Sequence, residues 1–350
     1  MTYYAAFIPG MQEVIASVLC ERLDDVSIIK LLDGAVIFET ACTYDRLNFF
    51  CFNNIFAVID TLEQKNNRLN TSLEFLEAHI RKILAHGNLS RQNLSLMAVN
   101  VKSIKKFRLV CSVENKPAGI SEKSRQDMER FIAYHSGLEL DRRKGDTEFL
   151  LLSRREGFSC FLKRLSGNDK HRAGELSPHL AWMLCRIAGL KHGEAVADPC
   201  CGYGSIANAA CKFFPVSKVY ASDIENRCVE ITRSRPGLNT GRAQIFQADF
   251  RSLSEYIPEG TVDAIVTDPP WGMYKEASTP PETLYCQMCG VFAKLLKNGG
   301  RAIILTAAKK ELENAVEKTQ ALTVNKTIPI LVSGKKASVF VLGKNQLFLP

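Results

Sequence analysis

The chain has no run of eighteen apolar residues, so no segment of it reads as a membrane-crossing helix. Its opening, Met1-Thr2-Tyr3-Tyr4-Ala5-Ala6-Phe7-Ile8-Pro9-Gly10, has no basic stretch ahead of the apolar one and does not read as a secretory leader. A soluble, cytoplasmic protein without a membrane partner is expected. Neither G-x-G-x-x-G nor G-x-x-x-x-G-K-[ST] occurs, which leaves pyrophosphate binding unsupported. Paired metal-binding cysteines are missing as well. Of twelve cysteines only Cys286 and Cys289 stand in a C-x-x-C, with no second pair at ligand spacing. The rest are scattered, mostly in apolar runs such as Val110-Cys111 and Cys160-Phe161, so buried reduced thiols and no metal are expected.

What is present is ordinary globular material, with 46% hydrophobic and 23% charged residues in 350. At roughly 150 residues per domain this length allows two or three domains. Charge is unevenly spread. Residues 1–90 hold seven basic and eleven acidic side chains, residues 91–172 hold eighteen and ten, and the remainder twenty and sixteen. The basic middle suggests a surface for a polyanion, although such segments also occur as plain solvated faces.

In chain order, residues 3–8 read as a strand, Met11 to Leu23 as an amphipathic helix, Val26 to Leu32 and Ala35 to Glu39 as a hairpin around Asp33-Gly34, Thr43 to Phe50 as a helix and Ile55 to Leu62 as a strand. This β-α-β-β-α-β order gives a ferredoxin-like domain over residues 1–65, followed by the polar stretch Gln64 to Asn70. A second α+β unit, residues 66–165, opens with a helix over Ser72 to Ala85. Strands follow at Leu94 to Val101 and Phe107 to Val113, then a helix at Ser121 to His135 and strands at Glu148 to Arg154 and Phe158 to Leu165. Lys102, Lys105, Lys106 and Arg108 surround Phe107 in this unit, and Lys163, Arg164, Lys170 and Arg172 add basic pairs, which suits contact with phosphates.

After a linker at 166–177, residues 178–350 alternate strand and helix, which predicts a mostly parallel sheet with helices on both faces. Strands are expected at Glu194 to Asp198, Lys218 to Asp223, Ala243 to Asp249, Val262 to Asp268 and Arg301 to Thr306, the first four each ending in Asp. Helices are expected at Ser205 to Phe214, Glu225 to Arg235, Ser252 to Tyr256, Pro281 to Lys297 and Lys309 to Gln320, and a closing hairpin at Thr323 to Leu331 and Ala337 to Leu342. Ligands of such sheets bind at the carboxyl ends of the strands. In Asp198-Pro199-Cys200-Cys201-Gly202-Tyr203-Gly204 two glycines let backbone approach a ligand closely. Asp223, at the next strand end, is placed to bond ribose hydroxyls. Asp249 can accept from an adenine amino group, with Ile224 and Phe250 on either side of the ring.

The strand Val262 to Thr267 runs into Asp268-Pro269-Pro270-Trp271. An Asp, proline carbonyls and a flat aromatic suit the exocyclic amine of a nucleobase: Asp268 and the Pro269 carbonyl accept its N–H groups and Trp271 stacks on the base.

Together these residues resemble the THUMP-domain class I RNA methyltransferases, the group that includes the guanine-N2 enzymes of tRNA. Asp198 to Gly204 resembles that family's D-P-x-C-G-x-G motif, Asp223 and Asp249 its second and third acidic positions, and Asp268 to Trp271 its [DN]-P-P-[YFW]. Leu176-Ser177-Pro178-His179-Leu180-Ala181 is similar to the segment that covers the cofactor, and Phe7 to Glu13 to the family's P-G-L-E start. Cys200, Tyr203 and Trp271 depart from the commoner residues. The resemblance implies a Rossmann-like methyltransferase domain preceded by ferredoxin-like and THUMP domains, S-adenosylmethionine as cofactor and structured RNA, tRNA before rRNA, as partner of a monomer. It implies Pro178, Asp198, Cys200, Gly202, Gly204, Asp223, Ile224, Asp249, Phe250 and Asp268 as cofactor residues, and Asp268, Pro269 and Trp271 as catalytic ones. DNA adenine and cytosine amino-methyltransferases share the D-P-P-W-type tetrapeptide, so they, an rRNA enzyme and a non-catalytic RNA-binding factor stay open.

Overall fold

The computed structural model describes residues 1–47, 49–64, 72–85, 89–97, 105–166, 172, 174–271 and 279–345. Among them no helix is long and apolar enough to cross a membrane. The chain divides into two compact units, one of residues 1–6, 20–48 and 54–168, the other of residues 7–19, 49–53 and 169–350.

The elements of the first part of the chain are β1 (Thr2–Ala6), α1 (Gln12–Arg22), β2 (Ser27–Leu32), β3 (Ala35–Glu39), β4 (Asn54–Glu63), α2 (Ser72–Leu84), α3 (Arg91–Met97), β5 (Lys106–Val113), β6 (Lys116–Pro117), α4 (Glu122–Ser136), β7 (Glu139–Leu140), β8 (Thr147–Arg154) and β9 (Phe158–Arg164). The described strands form one sheet in the order β2-β3-β1-β4-β9-β8-β5-β6, with β7 beside β5. Strands from both sides of residue 65 therefore share a sheet, joined where β4 runs antiparallel to β9 from Phe56↔Arg164 to Glu63↔Phe158. Helices α2 and α4 cover it. Leu76, Ile80 and Ile83 of α2 and Met128 and Ile132 of α4 recur at helical spacing and pack on Phe107, Phe149 and Phe161 from the strands.

Two expected elements are corrected here. Among its described residues Thr43 to Phe50 forms a 3-10 turn at Tyr44–Arg46 and no α-helix. In the second unit the Phe50 ring packs tilted against Phe213 at 3.9 Å and its carbonyl lies 3.2 Å from His179 Nδ1, so tertiary contacts overrule helical propensity. Leu94 to Met97 belongs to α3 rather than to a strand. Ser90 Oγ accepts from the Asn93 amide, and Leu94 and Met97 take a helical i,i+3 spacing with Met97 fully buried. Residues 98–101 of that expected strand lie outside the described residues.

The second unit continues with α5 (Pro178–Ile187), β10 (Ala195–Asp198), α6 (Ser205–Phe213), β11 (Lys218–Asp223), α7 (Asn226–Arg233), β12 (Ala243–Gln247), β13 (Val262–Thr267), α8 (Pro281–Leu295), β14 (Leu296–Thr306), α9 (Lys309–Thr319), β15 (Leu322–Val332) and β16 (Lys335–Lys344). Its sheet runs β12-β11-β10-β13-β14-β16-β15, parallel from β12 to β14, with β16 antiparallel to both its neighbours. Ala264, Ile265 and Val266 of β13 are wholly buried, as both faces of a central parallel strand should be. The expected helix at 252–256 is a 3-10 turn at Phe250–Glu255, and α8 stops at Leu295, where β14 begins. From β10 the chain steps outward through β11 and β12, then returns to place β13 on the other side of β10. That reversal is the switch point at which sheets of this kind open a crevice.

Candidate active site

Asp198 ends β10 and Asp268 follows β13, so the two acids stand at adjacent strand tips on the switch point. Asp198 is 1% exposed and faces the Thr267 hydroxyl and the Cys200 amide. Burial, with Asp223 and Asp268 adding their charge, pushes its carboxyl well above the usual range. Asp268 is half-buried and its Oδ1 accepts from Trp271 Nε1 at 2.9 Å. Burial pushes its carboxyl up to about 7, opposed by the indole N–H. Trp271 thus holds the carboxylate, a role beyond the stacking expected of it. Pro269 is buried between them in sequence and Pro270 exposed.

The glycine turn between β10 and α6 is tied to the next strand. The Gly202 amide donates to Asp223 Oδ2 at 2.8 Å, and the Thr232 hydroxyl donates to the Gly202 carbonyl at 3.0 Å. Gly204 caps α6 at φ +78°, and a Cβ on it would lie 2.6 Å from Thr232 Cγ2, so no other residue fits. Asp223 also accepts from the Glu225 amide at 3.0 Å, beside Ile224, which is 63% exposed.

Asp249 lies two residues past β12 and caps the 3-10 turn, Oδ1 accepting from the Arg251 amide at 2.9 Å. Phe250 is buried in the core with the Arg251 guanidinium 5.3 Å from its ring, so the expected open face of Phe250 is largely covered. Pro178 is the exposed first residue of α5, which Ser177 caps.

A cavity of about 230 Å³ lies against the turn. It is lined by Cys200, Gly202 and Asp268 of the expected set and by Glu175, Tyr203 and Ser205, among others. Sequence reasoning missed Glu175. Its Oε1 accepts from Ser205 Oγ at 3.0 Å and pairs with Arg235, and its Oε2 takes the Arg172 amide. Against the effect of burial, these donors hold Glu175 below the usual range, so an anion faces the cavity. The only hint in sequence was its place just before Leu176-Ser177-Pro178.

The expected phosphate ligands lie in the first unit or around residue 172, and several are already engaged. Arg108 and Arg164 share Glu148, whose side chain is 8% exposed, and Arg164 also bonds Asn54. Lys163 donates to the Leu96 carbonyl at 2.8 Å. These three knit β4, β5, β8, β9 and α3 together. Lys106 is exposed and lies 3.5 Å from Asp141, and Lys105 is near enough to Lys163 to lower its basicity further once burial has done so. Arg172 is exposed, while Lys102 and Lys170 lie outside the described residues.

Residues 168–334 match the family described as UPF0020, RMKL-like, methyltransferase domain. A tRNA (guanine(6)-N2)-methyltransferase of Thermus thermophilus is 34% identical over 174 residues, which are 49% of this chain and 50% of that one. A tRNA (guanine(10)-N2)-dimethyltransferase of Methanothermobacter thermautotrophicus is 31% identical over 146 residues, 41% of this chain and 42% of that one. The matches thus span about half the length of these relatives. Among solved structures, TrmN of Thermus thermophilus superposes with a TM-score of 0.76 at 22% identity, covering 98% of this chain and 99% of that one, which extends the likeness in fold to both units. The parallel strands, acidic strand tips and glycine turn all fall within residues 168–334, the stretch that matches this methyltransferase-domain family.

Proposed function

We propose that the protein transfers a methyl group from S-adenosylmethionine to N2 of a guanosine in tRNA, acting as a soluble cytoplasmic monomer. The observation that carries this reading is the convergence of the Asp268 carboxylate, held by the Trp271 N–H, on the cavity that the Gly202 turn also lines. The names of the two relatives supply the base and the class of RNA.

The residues fit the cofactor. Asp198 is a buried acid at the tip of the strand before the glycine turn, Asp223 is fixed beside an exposed Ile224, and Gly202, with nothing within 4 Å of where a Cβ would stand, leaves room for close backbone approach. Asp198, Cys200, Gly202, Asp223, Ile224 and Asp249 would hold it. When bound, S-adenosylmethionine supplies a sulfonium methyl as electrophile, so the chain's contribution is placement and electrostatics. The guanine has to leave its stack, which costs a few kcal/mol, and the Trp271 ring offsets roughly 1–3 kcal/mol of that by stacking. Asp268 Oδ2 and the Pro269 carbonyl accept from the N2 amine and orient its lone pair. Asp268 then balances the positive charge that grows on nitrogen, and the proton leaves the acidified amine afterwards.

Residues 66–165 would dock the RNA. The test is methyl transfer from radiolabelled S-adenosylmethionine to total tRNA, rRNA and DNA, followed by nucleoside analysis. Label as N2-methylguanosine in tRNA is expected. Label confined to rRNA or DNA, or no cofactor binding by calorimetry, would replace this reading.

A further inference from the structure

Behind the Asp268-Pro269-Pro270-Trp271 turn three polar groups stand in line. The Ala308 amide donates to Thr306 Oγ1 at 2.9 Å, Thr306 Oγ1 lies 2.7 Å from the Tyr285 hydroxyl, and that hydroxyl donates to the Pro270 carbonyl over 3.4 Å. Tyr285 and Thr306 are wholly buried. Each hydroxyl has one hydrogen. In the arrangement where Tyr285 gives its hydrogen to Pro270, Thr306 gives its own to Tyr285 while its lone pair takes the Ala308 amide. The chain therefore runs one way, from the start of α9 through the end of β14 and the first half of α8 to the turn, and its members polarise one another.

The turn needs such a donor. Prolines at 269 and 270 supply no N–H, so anchoring from outside has to act on a carbonyl. The Pro270 carbonyl belongs to the peptide that leads into Trp271, whose indole N–H bonds Asp268 Oδ1. Fixing that peptide plane fixes where the indole departs from the backbone, and hence how the Asp268 carboxylate is turned. We propose that Tyr285 and Thr306 are positioning residues for methyl transfer, holding the Pro270–Trp271 peptide so that Trp271 sets the orientation of Asp268. The inference rests on the activity proposed above and adds to it two residues that touch neither cofactor nor base.

Tyr285→Phe keeps the ring in the core and removes only the donor, Thr306→Val removes the link, and Thr306→Ser restores it. In an enzyme active on tRNA, Tyr285→Phe and Thr306→Val should each lower kcat by about ten- to a hundredfold, the cost of a small misplacement of reacting groups. KM for tRNA and calorimetric affinity for S-adenosylmethionine should stay within about twofold, because binding is made elsewhere. Thr306→Ser should recover near wild-type kcat, and the double variant should be no slower than the slower single one. Amide exchange across residues 266–271 should rise in both variants whether or not the substrate is the one proposed. Wild type inactive on tRNA, rRNA and DNA would refute the activity and leave the exchange result to judge the relay. A kcat close to wild type in Tyr285→Phe, or unchanged exchange, would refute the relay itself.

Discussion

Asp198 and Asp268 stand at neighbouring strand tips, yet their partners separate them. Asp198 is wholly buried with the charges of Asp223 and Asp268 beside it and is pushed well above the usual range, whereas Asp268 has the Trp271 N–H and a carboxyl pushed only to about 7. Because that value lies above the ordinary aspartate range, Asp268 is neutral in acid and becomes an acceptor for an amine only as pH rises through about 7. kcat/KM should therefore climb with pH through about 7 and then level off. Asp268→Ala should lose methylation while keeping cofactor affinity. Trp271→Phe keeps a stacking face but deletes the N–H that favours the anion, so its acid limb should move to higher pH. A limb that stays in place in the Trp271 variant would mean that another group titrates. The acids themselves were legible, since a short apolar strand stopped by Pro or Gly delivers its last polar residue to the sheet's edge. The indole's direction was not, because a side chain four residues past a strand carries no periodicity to read. Glu175 was missed for the same reason: its partners Ser205 and Arg235 lie 30 and 60 residues away.

At the scale of elements, the β10–α6 turn shows what glycine does here. Gly202 and Gly204 both have positive φ, +50° and +78°, but a Cβ on Gly202 meets nothing within 4 Å while one on Gly204 runs into Thr232. Gly202→Ala should cost only the left-handed backbone, about 1–2 kcal/mol. Gly204→Ala should cost more, since Thr232 must also move and with it the hydrogen bond to the Gly202 carbonyl. Melting curves of the two variants check the order, and Thr232→Ala in the Gly204→Ala background should return part of the loss. Equal losses would place the strain in φ alone. The strand-helix alternation of residues 195–319 was readable because buried parallel strands are continuous apolar runs and their helices are amphipathic. Thr43 to Phe50 and Leu94 to Met97 were not. In the first, Phe50 answers to Phe213, 163 residues on, and in the second a run of seven residues has too few turns to separate a period of two from one of 3.6.

At the scale of the whole molecule, the question is what the basic middle segment is for. Its excess charge was visible in composition, but composition cannot tell a spare cation from one consumed in folding. Arg108 and Arg164 meet on Glu148, which is 7% exposed, so Arg108→Glu would set two carboxylates together in the sheet and should lower thermal stability by about 3 kcal/mol or more, whatever happens to RNA. Lys105 and Lys106 differ. Lys106 is exposed with a long 3.5 Å approach to Asp141, and Lys105 adds its charge beside Lys163, whose ammonium burial already disfavours, so an incoming phosphate would relieve repulsion. If this edge of the first unit meets the RNA backbone, Lys105→Glu with Lys106→Glu should leave the melting curve nearly unchanged. It should weaken binding to tRNAs of any sequence and flatten the dependence of log K on log salt by about one for each phosphate no longer neutralised. Binding measured between low and physiological salt separates the outcomes. An unaltered slope would move the RNA surface away from β5 and leave the positive charge of this segment to the architecture of its own sheet.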